Sequence, residues 1–127
     1  MSKTKYKILL VEDDVFLQSS TQMRLADLNF EVILANDGEE ALEIIKTNPP
    51  DLVLLDLILP KKSGHEVLTE LKGSSYGEIP IIAISELGEK SIEKILSAGA
   101  IDYINKDQFF SRELVRKINT ILGMKNQ

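Results

Sequence analysis

Residues 51–60, DLVLLDLILP, contain the clearest indication of how this chain folds. The apolar residues at 52–55 are too few for a helix, and no polar residue alternates with them. Continuous apolarity over so short a run is typical of a strand that is covered on both faces, as in a parallel sheet. The run ends at an acid, Asp56, which places a carboxylate at the carboxyl end of the predicted strand.

Similar apolar runs recur along the chain and alternate with segments of helical spacing, which predicts the order βαβαβαβαβα. Because crossovers between parallel strands are right-handed in nearly all proteins, helices cover both faces of such a sheet. The sequence therefore predicts a doubly wound α/β fold. The predicted strands are 8–11, 32–34, 52–55, 79–84 and 103–104, and the predicted helices are one from near Asp14 with Phe16, Met23, Leu25 and Leu28, then 38–47, 64–72, 89–98 and 111–122.

Length and composition restrict the possible functions. The 127 residues fit a single domain, with its core expected at about 6–123. The absence of cysteine excludes disulfide scaffolds and thiolate chemistry, and a single histidine, His65, excludes multi-histidine metal sites. The net charge of −5 argues against direct binding of nucleic acid. No apolar stretch approaches the ~20 residues of a membrane helix and no signal region opens the chain, so we expect a cytoplasmic protein without membrane association.

Polar residues follow the predicted strands at the edge where parallel sheets bind their ligands. The acids at 12–14 follow the first strand, Asp56 ends the third, Ser85 follows the fourth and Lys106 follows the fifth. Clustered carboxylates repel each other at neutral pH, and their hard oxygens suit Mg²⁺ or Mn²⁺. One carboxylate is then left as a nucleophile for a phosphoryl group, whose oxygens the metal and the lysine would stabilise.

Four stretches, in this order and spacing, resemble the response-regulator receiver domain of two-component signalling over essentially the whole chain. They are 8–14 (ILLVEDD), 51–60 (DLVLLDLILP) with Gly64, 79–85 (IPIIAIS) and 99–106 (GAIDYINK). The resemblance implies a flavodoxin-like sheet with the strand order 2-1-3-4-5. It also implies a phosphorylation-activated switch that receives its phosphoryl group from a sensor histidine kinase or a phosphotransfer protein.

The resemblance also assigns residues to the phosphorylation and metal site. Asp56 matches the phospho-accepting aspartate, which also contacts the metal. Asp13 matches the direct magnesium ligand, and Glu12 matches the acid that acts on the metal through water. The backbone carbonyl of Ile58 matches the third protein ligand. Such a domain catalyses its own aspartyl phosphorylation and dephosphorylation without conventional substrate turnover.

The switch residues follow from the same resemblance. Ser85 and Lys106 match the hydroxyl and the ammonium that move to the phosphoryl group, and Tyr103 matches the aromatic residue that swings inward when Ser85 moves. The surface of the fourth helix, fifth strand and fifth helix would then bind a target protein, still unknown, or pass the phosphate on. No effector domain is recognisable after the fifth helix, so we expect a stand-alone receiver, similar to chemotaxis regulators, unless the chain is an excised piece of a longer protein. We expect it to be monomeric or weakly dimeric.

Several residues depart from the family pattern. Asp107 stands where the family usually has a proline after a cis bond, which predicts a trans Lys106–Asp107 bond and an altered loop. Glu86 stands where a small residue is usual and would narrow access to the site or repel a phosphodonor. Ile58 and Leu87 are both apolar and offer no side chain to orient an attacking water, so we expect a long-lived phosphoryl state.

Other functions remain open at this point. The main alternative is a degenerate receiver that acts as a phosphate-independent interaction module, for which Glu86 and Asp107 leave room. A haloacid-dehalogenase-type hydrolase would need an acid where Ile58 stands. A flavodoxin would need a phosphate-binding loop where the acids at 12–14 would repel the flavin phosphate.

Overall fold

The computed structural model describes residues 5–86, 92–108 and 112–125. Its elements are β1 (Lys7–Val11), α1 (Val15–Asp27), β2 (Glu31–Ala35), α2 (Gly38–Thr47), β3 (Leu52–Asp56), α3 (Gly64–Lys72), β4 (Ile81–Ser85), α4 (Ile92–Ser97), β5 (Asp102–Asn105), a 3-10 turn (Lys106–Gln108) and α5 (Arg112–Lys125). The strands form one parallel sheet in the order β2-β1-β3-β4-β5. The predicted doubly wound architecture and the strand order are confirmed.

Two apolar layers enclose the sheet. One lies between the sheet and α2, α3 and α4, and the other lies between the sheet and α1 and α5. Because successive side chains of a strand point to opposite faces, Leu9 and Val11 enter the first layer while Ile8 and Leu10 enter the second. All residues of β3 and β4 are buried, as the continuous apolar run at 52–55 predicted for a central strand.

The parallel register aligns the carboxyl ends of the central strands. Asp56 lies beside Ile84, and Ser85 lies beside Asn105. Residues that directly follow β1 and β5 therefore arrive at the same edge of the sheet as Asp56, although they are far apart in the sequence.

The helix α1 buries a different face from the one that its apolar residues suggest. Of the four apolar residues that predicted this helix, only Leu25 is buried, and Phe16 and Met23 are 79% and 69% exposed. Gln18 and Thr21 share the buried face with Leu25, at helical spacing. A hydrogen-bonded polar side chain therefore occupies a position where the sequence pattern favours an apolar one.

The helices α2 and α3 begin at capping residues and have the predicted bounds. Asp37 accepts a hydrogen bond from the Glu40 amide, and Ser63 and Glu66 form a reciprocal capping box. The predicted cap Ser111 and the predicted start of the fourth helix at 89–91 lie outside the described residues. Within the described ranges, every helix is too short or too polar to cross a membrane.

The close approach of α3 to the end of β3 depends on a glycine. A Cβ at Gly64 would meet the Leu57 Cα at 2.5 Å and the Asp56 carbonyl oxygen at 2.6 Å. Both are main-chain atoms next to the candidate phospho-acceptor, so a side chain at Gly64 requires a shift of the backbone that holds Asp56.

We expect Gly64→Ala to lower the free energy of unfolding by roughly 1–3 kcal/mol, the usual cost of overpacking. Urea denaturation followed by circular dichroism measures this change. The matched control is Gly123→Ala in α5, where an added Cβ meets nothing within 4 Å and should raise stability by about 0.5–1 kcal/mol. A Gly64→Ala variant as stable as the original chain would contradict the packing described above.

Candidate functional site

Three carboxylates converge at the carboxyl edge of the sheet. Glu12 and Asp13 follow β1, and Asp56 ends the neighbouring strand β3. One oxygen of each carboxylate lies within 4.8 Å of the other two. Glu12 is fully buried, Asp56 is 2% exposed and Asp13 is exposed, so the cluster extends from the core edge to solvent.

Lys106, directly after β5, brings a positive charge to these acids. Its Nζ donates a hydrogen bond to Asp56 Oδ2 at 2.9 Å and lies 3.6 Å from Glu12 Oε1. Partial burial disfavours the ammonium ion, but the hydrogen bond to Asp56 and the attraction of Asp56, Glu12 and Glu86 outweigh burial and raise the pKa of Lys106. The lysine therefore stays charged and faces the candidate phospho-acceptor.

The surroundings of Glu12 disfavour the ionised form of its side chain. Burial above all, and then the adjacent Asp56 carboxylate, raise its pKa from 4.5 to about 8, although Lys106 acts in the opposite direction. Glu12 Oε2 accepts a hydrogen bond from the Asp13 amide at 3.1 Å, whereas Oε1 is buried and has no hydrogen-bond partner within the described chain. One lysine does not balance three acids, and a proton or a further cation has to complete the cluster.

A divalent cation with a preference for hard oxygen ligands fits these residues. The buried Glu12 oxygen lacks a donor, and Asp13 presents a carboxylate on the solvent side. Mg²⁺ binds few protein carboxylates and keeps several waters, which suits a site that is half open to solvent. The donors Glu12, Asp13 and Asp56 are therefore chemically matched to Mg²⁺ or Mn²⁺.

The remaining contacts of Asp56 fix its side chain. Its Oδ1 accepts a hydrogen bond from the Ile58 amide at 3.0 Å, while Oδ2 is bonded to Lys106. The Ile58 side chain is 63% exposed beside the site. The structure thus shows a contact between the Ile58 N–H and the Asp56 side chain. The role of the Ile58 carbonyl as a metal ligand stays a prediction.

Ser85 lies on β4 and Tyr103 lies on β5, the two strands that follow Asp56 and β3 toward one edge of the sheet. Ser85 is 6% exposed at the end of β4, one residue beyond the residue that pairs with Asp56. Tyr103 is half-buried on β5 and packs against the core layer of α2, α3 and α4. Lys117 on α5 places its Nζ 5.5 Å from the centre of the Tyr103 ring. Leu87 lies outside the described residues.

The loop after β5 has the predicted trans geometry at the Lys106–Asp107 bond. Residues Lys106–Gln108 form a 3-10 turn, and the Asp107 amide donates to Asn105 Oδ1 at 2.9 Å. This local hydrogen bond fixes the backbone next to Lys106, which still reaches Asp56 although the proline typical of the family is missing.

Gln18 is a supporting residue that the sequence did not reveal. Its Nε2, buried on α1, donates to the Glu12 carbonyl oxygen at 2.9 Å and to Asn36 Oδ1 at 2.9 Å. The side chain thereby ties the loop after β1, which holds two of the acids, to the loop after β2. The available signal was the helical spacing of Gln18, Thr21 and Leu25, which puts a polar residue on the buried face.

Comparison with known proteins identifies the family of this chain. The sequence profile of the response regulator receiver domain matches residues 8–119. The probable transcriptional regulator ycf27 of Cyanophora paradoxa is 40% identical over 124 residues, which cover 96% of this chain and 50% of that protein. The chain spans about half the length of the curated relatives that it matches.

Solved structures agree as well. The receiver domain of the Francisella response regulator 1452 superposes with a TM-score of 0.88 at 27% identity, over 94% of this chain and 98% of that one. The BeF3-activated N-terminal receiver domain of Klebsiella pneumoniae RstA gives a TM-score of 0.81 at 33% identity, over 91% and 97% of the two chains. With a family profile that covers most of the sequence and the same fold throughout, the chain belongs to the response regulator receiver domain family.

Proposed function

We propose that this receiver domain is a phosphorylation-activated switch whose phosphoryl group is carried by Asp56. The observation that supports this most directly is the excess of acid around one lysine: Asp56 is bonded to Lys106 at 2.9 Å, yet two more carboxylates lie within 4.8 Å. A purely structural ion pair needs one acid for one base. Membership of the family supports a histidine kinase or a phosphotransfer protein as the phosphodonor.

In the transfer step, a carboxylate oxygen of Asp56 attacks the phosphorus of a phosphohistidine. The new P–O bond forms as the bond from phosphorus to the imidazole nitrogen breaks, and the nitrogen keeps the electron pair. Asp13, Asp56, Glu12 and the Ile58 carbonyl would hold Mg²⁺ or Mn²⁺, which when bound neutralises charge on the carboxylates and the phosphoryl oxygens. Attack of water on phosphorus later breaks the bond to the Asp56 oxygen, releases inorganic phosphate and returns Asp56 to its carboxylate.

Lys106 and Ser85 would respond to the new charge. Phosphorylation adds about −1.5 to −2 charges at one point. The ammonium of Lys106, already 2.9 Å from Asp56, would follow the charge to a phosphoryl oxygen, and the Ser85 hydroxyl would donate to another. Ser85 ends β4 and Lys106 directly follows β5, so both residues would carry the effect of the new charge to these two strands.

The output surface would be α4, β5 and α5. Lys117 on α5 donates a hydrogen bond to Asp102 Oδ1 on β5 at 2.9 Å and lies beside the Tyr103 ring, so β5 and α5 are in contact next to Tyr103. Movement of Ser85 would make room for Tyr103 to turn inward and would shift the population toward the active arrangement. A target protein would then bind this surface, or the phosphoryl group would pass to another protein.

A phosphate-independent interaction module is the second candidate, and Glu86 favours it. Glu86 is exposed directly after Ser85, and its charge reaches Lys106, whose pKa it helps to raise. A further acid at the mouth of the site repels an anionic phosphodonor.

Incubation with acetyl phosphate or phosphoramidate and Mg²⁺ should add one phosphoryl group to the protein. The Asp56 carboxylate is the proposed nucleophile, and Lys106 beside it would stabilise the phosphoryl oxygens. Intact mass spectrometry measures the gain, and hydroxylamine should remove it, as expected of an acyl phosphate. Asp56→Asn and a chelator-treated sample should gain nothing. If neither phosphodonor modifies the protein and beryllofluoride with Mg²⁺ leaves its NMR spectrum unchanged, the interaction module is the better description.

The raised pKa of Glu12 predicts a pH-dependent stability without divalent cations. Between pH 4.5 and about 8 the native state binds this proton more tightly than the unfolded state does, so the free energy of unfolding should fall as pH rises through that window. Each unit of pKa difference corresponds to about 1.4 kcal/mol, so the fall should reach a few kcal/mol. Urea denaturation in chelator at several pH values measures it.

Glu12→Gln should remove most of this fall and make the protein more stable than the original chain at pH 8 in chelator. Mg²⁺ should stabilise the original chain increasingly as pH rises, because the cation replaces the proton. Glu43→Gln, at an exposed position of α2, is the matched control and should keep the original pH profile. Identical profiles for Glu12→Gln and the original chain would contradict the assignment.

The apolar, exposed Ile58 predicts a slow loss of the phosphoryl group, because this side chain cannot orient an attacking water. We expect the phosphoryl group to persist for minutes or longer without a phosphatase. Ile58→Gln, which supplies a hydrogen-bonding amide, should shorten the lifetime several-fold in a time course of intact mass. A lifetime of seconds in the original chain would show this expectation to be wrong.

A further inference from the structure

All three arginines of the chain line one groove between α1 and α5, away from the acidic cluster. Arg24 lies near the end of α1, and Arg112 and Arg116 lie on α5. The groove has a volume of about 680 Å³ and is open to solvent. Neither Lys106 nor any acid of the proposed phosphorylation site is part of it. The other lining residues are Leu28, Val115, Asn119 and Thr120.

Two apolar side chains line this groove together with the arginines. Leu28 follows α1 and is 47% exposed, and Val115 is partly exposed on α5. The described residues of the chain leave both side chains accessible from the groove. The groove therefore combines apolar side chains with three guanidinium groups, in a protein whose net charge is −5.

Helix stability explains two of the arginines but not the third. Arg24 lies in the last turn of α1, where a cation is favourable, and Arg116 pairs with Glu113 on the same helix. Arg112 lies in the first turn of α5, where the helix dipole disfavours a cation. It is exposed and has no ion pair or hydrogen bond with the described residues, so the fold itself gives no reason for its charge.

The contact between Arg116 and Glu113 illustrates what the groove can bind. One guanidinium nitrogen of Arg116 donates to both carboxylate oxygens of Glu113, at 2.7 and 2.6 Å. The Arg116 side chain is 71% exposed, so this pair adds little stability and can be exchanged for another carboxylate. Arginine is also the residue best suited to planar, two-point recognition of carboxylates.

We infer that this groove is a docking site for an acidic amphipathic helix of another protein. Carboxylates of the partner would pair with Arg112 and, in place of Glu113, with Arg116, while Arg24 would add positive charge nearby. The partner's apolar side chains would cover Leu28 and Val115, as in other helix-in-groove complexes. A nucleic acid fits less well, because its phosphates would pair with the guanidinium groups but would leave Leu28 and Val115 uncovered. The groove would act as a recognition site in addition to the proposed output surface.

The test uses the complete chain, labelled with 15N, and a synthetic helical peptide with leucine at i, i+3, i+4 and i+7 and glutamate on the flanks. We expect chemical-shift changes at the groove residues, weakened by added salt. The double variant Arg24→Gln/Arg112→Gln should reduce affinity by roughly tenfold or more, since arginines dominate such contacts. Lys46→Gln, which removes an exposed charge from α2, should leave affinity unchanged. The spectra themselves establish that each variant is folded.

Three results would overturn the inference. The first is that a peptide with lysine in place of glutamate binds equally well, or that the chemical-shift changes lie outside the groove. A single-stranded oligonucleotide of equal charge binds the same residues more tightly than the peptide, which would assign the groove to nucleic acid. The groove signals shift with protein concentration in the absence of peptide, which would assign it to a second copy of this chain. Phosphorylation of Asp56 is not needed for any of these readouts.

Discussion

The balance of charge at the carboxyl edge of the sheet is the constraint on which this receiver depends. Two buried carboxylates and one exposed carboxylate lie together, and among the described residues Lys106 is the cation that contacts them. Burial makes this imbalance costly, and together with the adjacent Asp56 it raises the pKa of Glu12 to about 8. The same imbalance suits a divalent cation and a transferred phosphoryl group, because each brings the cluster closer to a balanced set of charges and contacts.

Most of the fold could be predicted because its strands are covered on both faces. Continuous apolar runs identify β3 and β4 without ambiguity, and capping residues such as Asp37 and Ser63 set the starts of α2 and α3. The prediction was least accurate for α1, whose buried face includes Gln18 and Thr21. Hydropathy alone cannot reveal a polar side chain that is buried because its hydrogen-bond partners lie in two loops distant in sequence.

The convergence of the side chains at the site could be predicted from the sequence, whereas the pKa of Glu12 and the orientation of Asp56 could not. Residues that follow parallel strands must meet at one edge, which brings Glu12, Asp13, Asp56 and Lys106 together from the pattern alone. The proton held by Glu12 depends on complete burial, and the orientation of Asp56 depends on the Ile58 amide. Both are three-dimensional properties. The trans bond after Lys106 was predictable from chemistry, whereas the Asn105 side chain that steadies this loop was not.

The contact between Lys106 and Asp56 joins residues 50 positions apart, and this separation has a consequence for biosynthesis. A ribosome completes β1 and β3, and with them all three acids, well before it reaches the lysine that opposes them. If β1 and β3 pair before β5 is made, their carboxylates come together without this lysine, and the repulsion among them opposes the pairing. The last strand therefore does more than complete the edge of the sheet, because it leads into the lysine that offsets part of the repulsion among acids on the earlier strands.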